Sequence, residues 1–202
     1  MPATIDYFLA PQSPWTYLGH ARFARMAREA GATVRVLPVD LGGRVFPVSG
    51  GLPLPKRAPQ RQAYRLVELR RWADWLGFPL TLQPRHFPVA GDDAARLILA
   101  VDAADGSDAA MTLTGAVLEA CWVREMNIAD KSTLAALLSQ CGLPEARLDA
   151  AAGADIQAAY DRCTAQAIDA GVFGAPSYVI DGEIFWGQDR LDFVARRLGL
   201  QR

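Results

Sequence analysis

Thr4-Ile5-Asp6-Tyr7-Phe8-Leu9, with Ser13-Pro14-Trp15-Thr16 close behind, is the stretch on which the reading of this chain turns. The first six residues read as a buried opening strand. Beyond them Trp15, Gly19, Phe23, Met26 and Ala30 recur at helical spacing, and Gly31 supplies a stop. Ser13 is thus placed as the N-cap, and Pro14 falls at the first helical position, where its missing N–H costs nothing. A helix start presents unpaired N–H groups and partial positive charge, which favour an anion such as a thiolate. The same Ser-Pro pair also makes an ordinary cap, so this turn alone leaves a purely structural role open.

Outward from that turn, Thr33-Val34-Arg35-Val36-Leu37-Pro38-Val39 reads as a second strand, parallel to the first through a right-handed crossover. An irregular stretch follows, from Gly42-Gly43 through Gly50-Gly51 to Pro53, Pro55 and Pro59. From about Gln60 to Gly171 the pattern is helical. Leu66, Leu69, Trp72, Ala73 and Leu76 mark one helix, ended by Gly77. Asp92-Asp93 open a second, and Ala110, Leu113, Val117, Leu118, Cys121 and Trp122 stripe a third. Asp130 starts a short one, and Ile156, Tyr160, Cys163, Ala167 and Ala170 stripe the last. Ser177–Ile180 and Glu183–Trp186 then flank Asp181-Gly182, a type I′ hairpin signal, before a final helix from about Arg190. The order is βαβ, a helical block, then ββα: an α/β core around a four-stranded sheet, interrupted by an insertion.

Composition excludes several classes. The formal net charge of −1 gives no field for nucleic acid, and no apolar run approaches the roughly 18 residues of a membrane span. Met1-Pro2-Ala3 leads straight into the first strand, so the expected location is cytoplasmic. Cys121, Cys141 and Cys163 lack metal-ligand spacing and read as small hydrophobes, with no metal expected. His20 and His86 lie in unrelated contexts, so a histidine-dependent triad is hard to assemble.

The βαβ…ββα order, with a functional turn after the first strand and Pro176 just before the third, resembles a thioredoxin fold carrying an all-helical subdomain between its halves. Residues 1–55 and 172–202 would form the thioredoxin-like domain and residues 56–171 the inserted helical subdomain. Ser13-Pro14-Trp15-Thr16 stands where redox relatives of that fold carry Cys-x-x-Cys. The run Tyr7–Gly19 resembles the 2-hydroxychromene-2-carboxylate isomerases and their cousins, the kappa-class glutathione transferases. So do Val172-Phe173-Gly174-Ala175-Pro176-Ser177, Trp186-Gly187-Gln188-Asp189-Arg190-Leu191 and, more weakly, Tyr64–Trp72. These matches run in the family's order from one end of the chain to the other.

The resemblance implies glutathione as cofactor and Ser13 as the catalytic residue, donating its hydroxyl hydrogen to the sulfur. Lowering a thiol from about 8.5 by about two units requires roughly 2.7 kcal/mol. One hydrogen bond to a charged group contributes about 1.5–3 kcal/mol and a helix N-terminus about 0.3–2, so a serine suffices. Pro176 would follow a cis bond that turns the backbone of Ala175 toward the cysteinyl backbone of the tripeptide. Gln188 and Asp189 would hold its γ-glutamyl end, and Lys56, Arg57 or Arg61 its glycyl carboxylate. Trp15, Phe46, Phe87 and Trp186 would line an aromatic pocket for a small aromatic ketoacid substrate. The implied activity is a glutathione-dependent isomerisation in aromatic-compound catabolism, by reversible thiolate addition, rotation and elimination, in a homodimer. Two alternatives stay open: a kappa-like transferase conjugating electrophiles, and a non-catalytic binding protein on the same scaffold. Ala10 stands where the family often has aspartate, and no asparagine appears near Gly50-Gly51, which leaves the substrate undetermined.

Overall fold

The computed structural model describes residues 2–200. Strand β1 (Thr4–Leu9), helix α1 (Pro14–Glu29) and strand β2 (Thr33–Pro38) come first. A π-type turn (Leu41–Val45) runs into the single turn α2 (Phe46–Ser49). A 3-10 turn (Leu54–Lys56) then precedes α3 (Pro59–Leu76). The remaining helices of the block are α4 (Asp92–Asp105), α5 (Ser107–Trp122), α6 (Lys131–Gln140), α7 (Arg147–Ala151) and α8 (Ala154–Asp169). Strands β3 (Ser177–Ile180) and β4 (Glu183–Trp186), a 3-10 turn (Gln188–Arg190) and α9 (Leu191–Arg197) close the chain.

The sheet order is β2-β1-β3-β4, with β1 parallel to β2 and antiparallel to β3. Period-two alternation sends successive side chains of β1 to opposite faces. Ile5, Tyr7 and Leu9 join Phe23 and Met26 of α1 and Leu191 and Val194 of α9. Phe8 joins Ala167 of α8, with Val172 and Val179, on the other face. Tyr7 lies directly opposite Tyr178 in the β1–β3 ladder, and their rings stack at 5.5 Å.

The first core does not stop at the sheet. It continues through Leu97 and Val101 of α4 and Leu113, Val117 and the fully buried Trp122 of α5. Sheet and insertion therefore share one apolar interior. Helix α8, grouped with the insertion by sequence, closes the sheet's second face and also touches α4. Cys121 and Cys163 are buried free thiols, and burial pushes them up to about 12 and about 11. Among the described residues no helix is long and apolar enough to cross a membrane.

Candidate active site

The α1 N-terminus is built as its sequence dictates. Ser13 is extended (φ −83°, ψ 124°), and its Oγ accepts from Thr16 N at 3.2 Å. Tyr17 N donates to Ser13 O at 3.0 Å, closing the first helical turn. Pro14 has no N–H and Thr16 is taken by the cap, so Trp15 N–H is left without an acceptor among the described residues. Ser13 is 8% exposed, and its hydroxyl reaches only Ala175 O, at 3.5 Å. That is the outer limit of a hydrogen bond, so the hydroxyl is readily turned to donate to a better acceptor.

Ala175 belongs to the loop facing the cap, and the Ala175–Pro176 bond is cis. The loop is pinned: Gly187 N donates to Pro176 O at 2.8 Å, and Ser177 Oγ donates to Gly174 O at 2.8 Å. Gly174 lets the Trp186 indole lie against the loop, because a Cβ there would push the indole nitrogen aside. Trp186 packs edge-on against Phe173 at 4.7 Å and stays 50% exposed at the rim of the site.

In front of this turn lies a cleft of about 650 Å³. Trp15, Ala175 and Trp186 line its sheet side, with Gly187, Gln188, Asp189 and Arg190. Its other wall is the face of α3 carrying Arg61, Tyr64, Arg65, Glu68 and Trp72, with Arg57 and Gln60 ahead of them. That face is aimed by the opposite one: Leu69 and Ala73 are buried against Leu18 of α1. Sequence reasoning did not single out Arg65, Glu68 or Trp72 for the cleft. The four-residue spacing of Arg57, Arg61 and Arg65 was the available signal.

Other expected residues take different positions. Phe46 does not line the cleft; its ring lies 5.9 Å from the Arg57 guanidinium and covers Gly51, where a Cβ would strike the ring. Phe87 also lies behind the wall, 4.7 Å from Trp122 and beneath Arg65. Lys56 is exposed and off the cleft, whereas Arg57 lines it, with Nε donating to Leu52 O at 2.7 Å. Gln188 is 1% exposed, and its Oε1 accepts from Arg22 at 3.0 Å, so that oxygen holds the fold rather than a ligand. Asp189 lines the cleft beside Arg190, 2.6 Å from its guanidinium.

The electrostatics favour anions. Glu68 and Asp189 are paired with Arg71 and Arg190, while among the described residues Arg57, Arg61 and Arg65 have no carboxylate partner. Desolvation and then the neighbouring Arg61 lower the Arg57 guanidinium, and burial and then Arg57 bring Arg65 to about 10. Both remain charged at neutral pH. His20 supplies no base: burial lowers it to about 4, and it sits between Tyr7 Oη (3.1 Å) and Met111 O (2.9 Å). Donation to Met111 O puts its proton on Nε2, leaving Nδ1 to accept from Tyr7. Among the described residues no cluster of His, Cys, Asp and Glu is arranged to hold a metal.

A capped helix facing a cis-proline loop on a 2-1-3-4 sheet defines the thioredoxin-fold class. Within it, the chain belongs to the DSBA-like thioredoxin domain family, whose model matches residues 4–199. It is similar to the 2-hydroxychromene-2-carboxylate isomerase of Sphingobium xenophagum, 29% identical over 96% of this chain and 97% of that protein. The enzyme of that name from Pseudomonas putida is 27% identical over 96% and 94%. A solved 2-hydroxychromene-2-carboxylate isomerase structure superposes with a TM-score of 0.78, covering 97% of this chain and 94% of that one, at 24% identity.

Proposed function

We propose that the protein is a glutathione-dependent isomerase acting on 2-hydroxychromene-2-carboxylate or a related aromatic ketoacid. Full-length similarity to proteins of that name supports the reaction class. The observation that carries the glutathione requirement is the state of Ser13: its hydroxyl oxygen is committed to Thr16 N, while its hydrogen has only a 3.5 Å contact to Ala175 O. Once the hemiketal ring C–O bond has opened to the ketoacid, bound glutathione would supply a thiolate for reversible addition to its conjugated C=C bond, leaving that bond single and free to rotate until the thiol is eliminated.

Each part of the site fits that task. Ser13 Oγ–H and Trp15 N–H are the donors nearest the helix start, and both suit a sulfur anion. Ala175 presents backbone to the cysteinyl segment, and the Asp189 carboxylate suits the γ-glutamyl ammonium. Arg57 and Arg61 suit the glycyl carboxylate. Trp15, Trp72 and Trp186 give an aromatic ring flat apolar surface and exclude water from it. The Ser-Pro-Trp-Thr turn has no sulfur of its own, so the nucleophile must be brought in.

The decisive assay incubates the pure protein with 2-hydroxychromene-2-carboxylate, with and without glutathione, and follows the trans-hydroxybenzylidenepyruvate by absorbance. Isomerisation only with glutathione is expected. Equal rates without it would remove the cofactor from the reading, and conjugate accumulation without isomerisation would move the protein to the transferases.

A further inference from the structure

Arg65 is the one cation of the cleft whose surroundings are built but incomplete. It projects from α3, half-buried, with its guanidinium carbon 5.2 Å from the Phe87 ring and 5.8 Å from the Trp122 ring. Those rings themselves pack at 4.7 Å, and Trp122 is fully buried in the shared core. The guanidinium thus rests on a rigid aromatic base. A guanidinium drawn partly out of water is normally accompanied by a carboxylate. Here the two acidic side chains of the cleft are engaged elsewhere, Glu68 with Arg71 and Asp189 with Arg190.

The neighbouring arginines differ. Arg57 is tethered at the cleft entrance by Leu52 O and capped by the Phe46 ring, and Arg61 is exposed one helical turn away. Under the functional reading above, on which this inference rests, they receive the glycyl carboxylate, Ser13 receives the sulfur, and the γ-glutamyl end goes to the Asp189 side, its ammonium at the Asp189 carboxylate and its own carboxylate at the adjacent Arg190 guanidinium. No acidic group of the tripeptide is left for Arg65. Tyr64 and Trp72 line the cleft from the same helix, so an anion at Arg65 has aromatic surface beside it.

We propose that Arg65 binds the carboxylate of the second ligand and makes the cleft select small aromatic acids over neutral molecules of the same shape. Phe87 and Trp122 act through it, as the positioning surface that keeps its planar donors turned into the cleft. This gives Phe87 a role one step behind the pocket wall.

The probes are trans-cinnamate and its uncharged isostere trans-cinnamamide, titrated calorimetrically into the full-length protein with and without glutathione. Wild type is expected to bind the acid about tenfold more tightly than the amide, as a charge-assisted, partly desolvated contact requires. Arg65→Met keeps the length and apolar packing and should abolish that preference while leaving glutathione affinity unchanged. Arg65→Lys should retain part of it, and Arg70→Met, at an exposed position of the same helix off the cleft, should keep it. An acid-to-amide ratio near unity in wild type overturns the assignment, and that outcome needs no variant to fold. So does an Arg65→Met protein that still prefers the acid, or that loses glutathione instead. Acid preference with no glutathione binding would sink the cofactor reading while leaving Arg65 as the carboxylate site.

Discussion

Replacing Ser13 by alanine removes one oxygen that serves two partners, and the two losses are separately measurable. The first is the cap on Thr16 N, worth about 1 kcal/mol. For a chain of this length that lowers the melting temperature by about 2–4 °C. The second is the hydroxyl's hydrogen bond to bound sulfur, worth about 1.5–3 kcal/mol for a charged acceptor. At 1.36 kcal/mol per pH unit, the bound thiol should titrate about 1–2 units higher in the variant. If it titrates near 6.5 in wild type and near 8 in the variant, the thiolate fraction at pH 7 falls from about three-quarters to about a tenth. The assay is thiolate absorbance in the ultraviolet of the glutathione-saturated protein across pH 5–10, with turnover measured in parallel. Turnover should fall about eightfold at pH 7 and recover above pH 9. Ser13→Gly separates the effects, since glycine caps a helix within a few tenths of a kcal/mol of serine yet has no hydroxyl. It should titrate like the alanine variant and melt close to wild type. Identical thiol titration in wild type and both variants would refute the reasoning.

His20 makes stability pH-dependent in one direction. It is a base whose folded value, about 4, lies below the ordinary 6.5. The unfolded chain therefore binds the proton first, and stability present above pH 6.5 is lost as pH falls toward 4, by about 3 kcal/mol in all. Urea unfolding between pH 4 and pH 7 should show this slope, and His20→Gln should flatten it; an unchanged slope would assign the acid sensitivity elsewhere. Gly174→Ala tests the rim of the cleft. The added methyl must displace the Trp186 indole, which is half exposed and free to move. Tryptophan emission should shift and KM should rise severalfold with little change in melting temperature; an unaltered spectrum would mean that the loop, not the indole, gave way.

Where apolar periodicity and turn chemistry agree, the fold was legible from residues alone. Strand β1 spans the six residues read as a strand, and Asp181 and Gly182 both have positive φ (49° and 81°), as a type I′ turn demands. Asp130 caps α6, and Gly77 and Gly171 follow α3 and α8 in the left-handed region. Short elements escaped: the π-type turn, α2 and α7 have too few residues to show a period. The site divides the same way. Local patterns place Ser13 at the cap, the cis bond before Pro176, and Asp189 and Trp186 along the cleft. Phe46 and Phe87 were recognised as aromatic residues near the site, but only three-dimensional packing puts Arg57 and Arg65 between them and the cleft. Arg65 is not distinguished by pattern, because one arginine among the four of an amphipathic helix looks like a solvated surface position. Its burial depends on Phe87, 22 positions further along, and on Trp122 from α5.

The shared interior of sheet and insertion bears on how this protein works over time. With Ile5 and Tyr7 in the same packed body as Leu97, Leu113 and Trp122, and α3 seated on α1 through Leu69, Ala73 and Leu18, the two walls of the cleft cannot swing apart without exposing apolar surface to water. Ligands must enter a gap whose width is set in advance, with only the rim side chains left to adjust. Under the isomerisation proposed above, the bond that turns about its axis would do so inside that fixed mould.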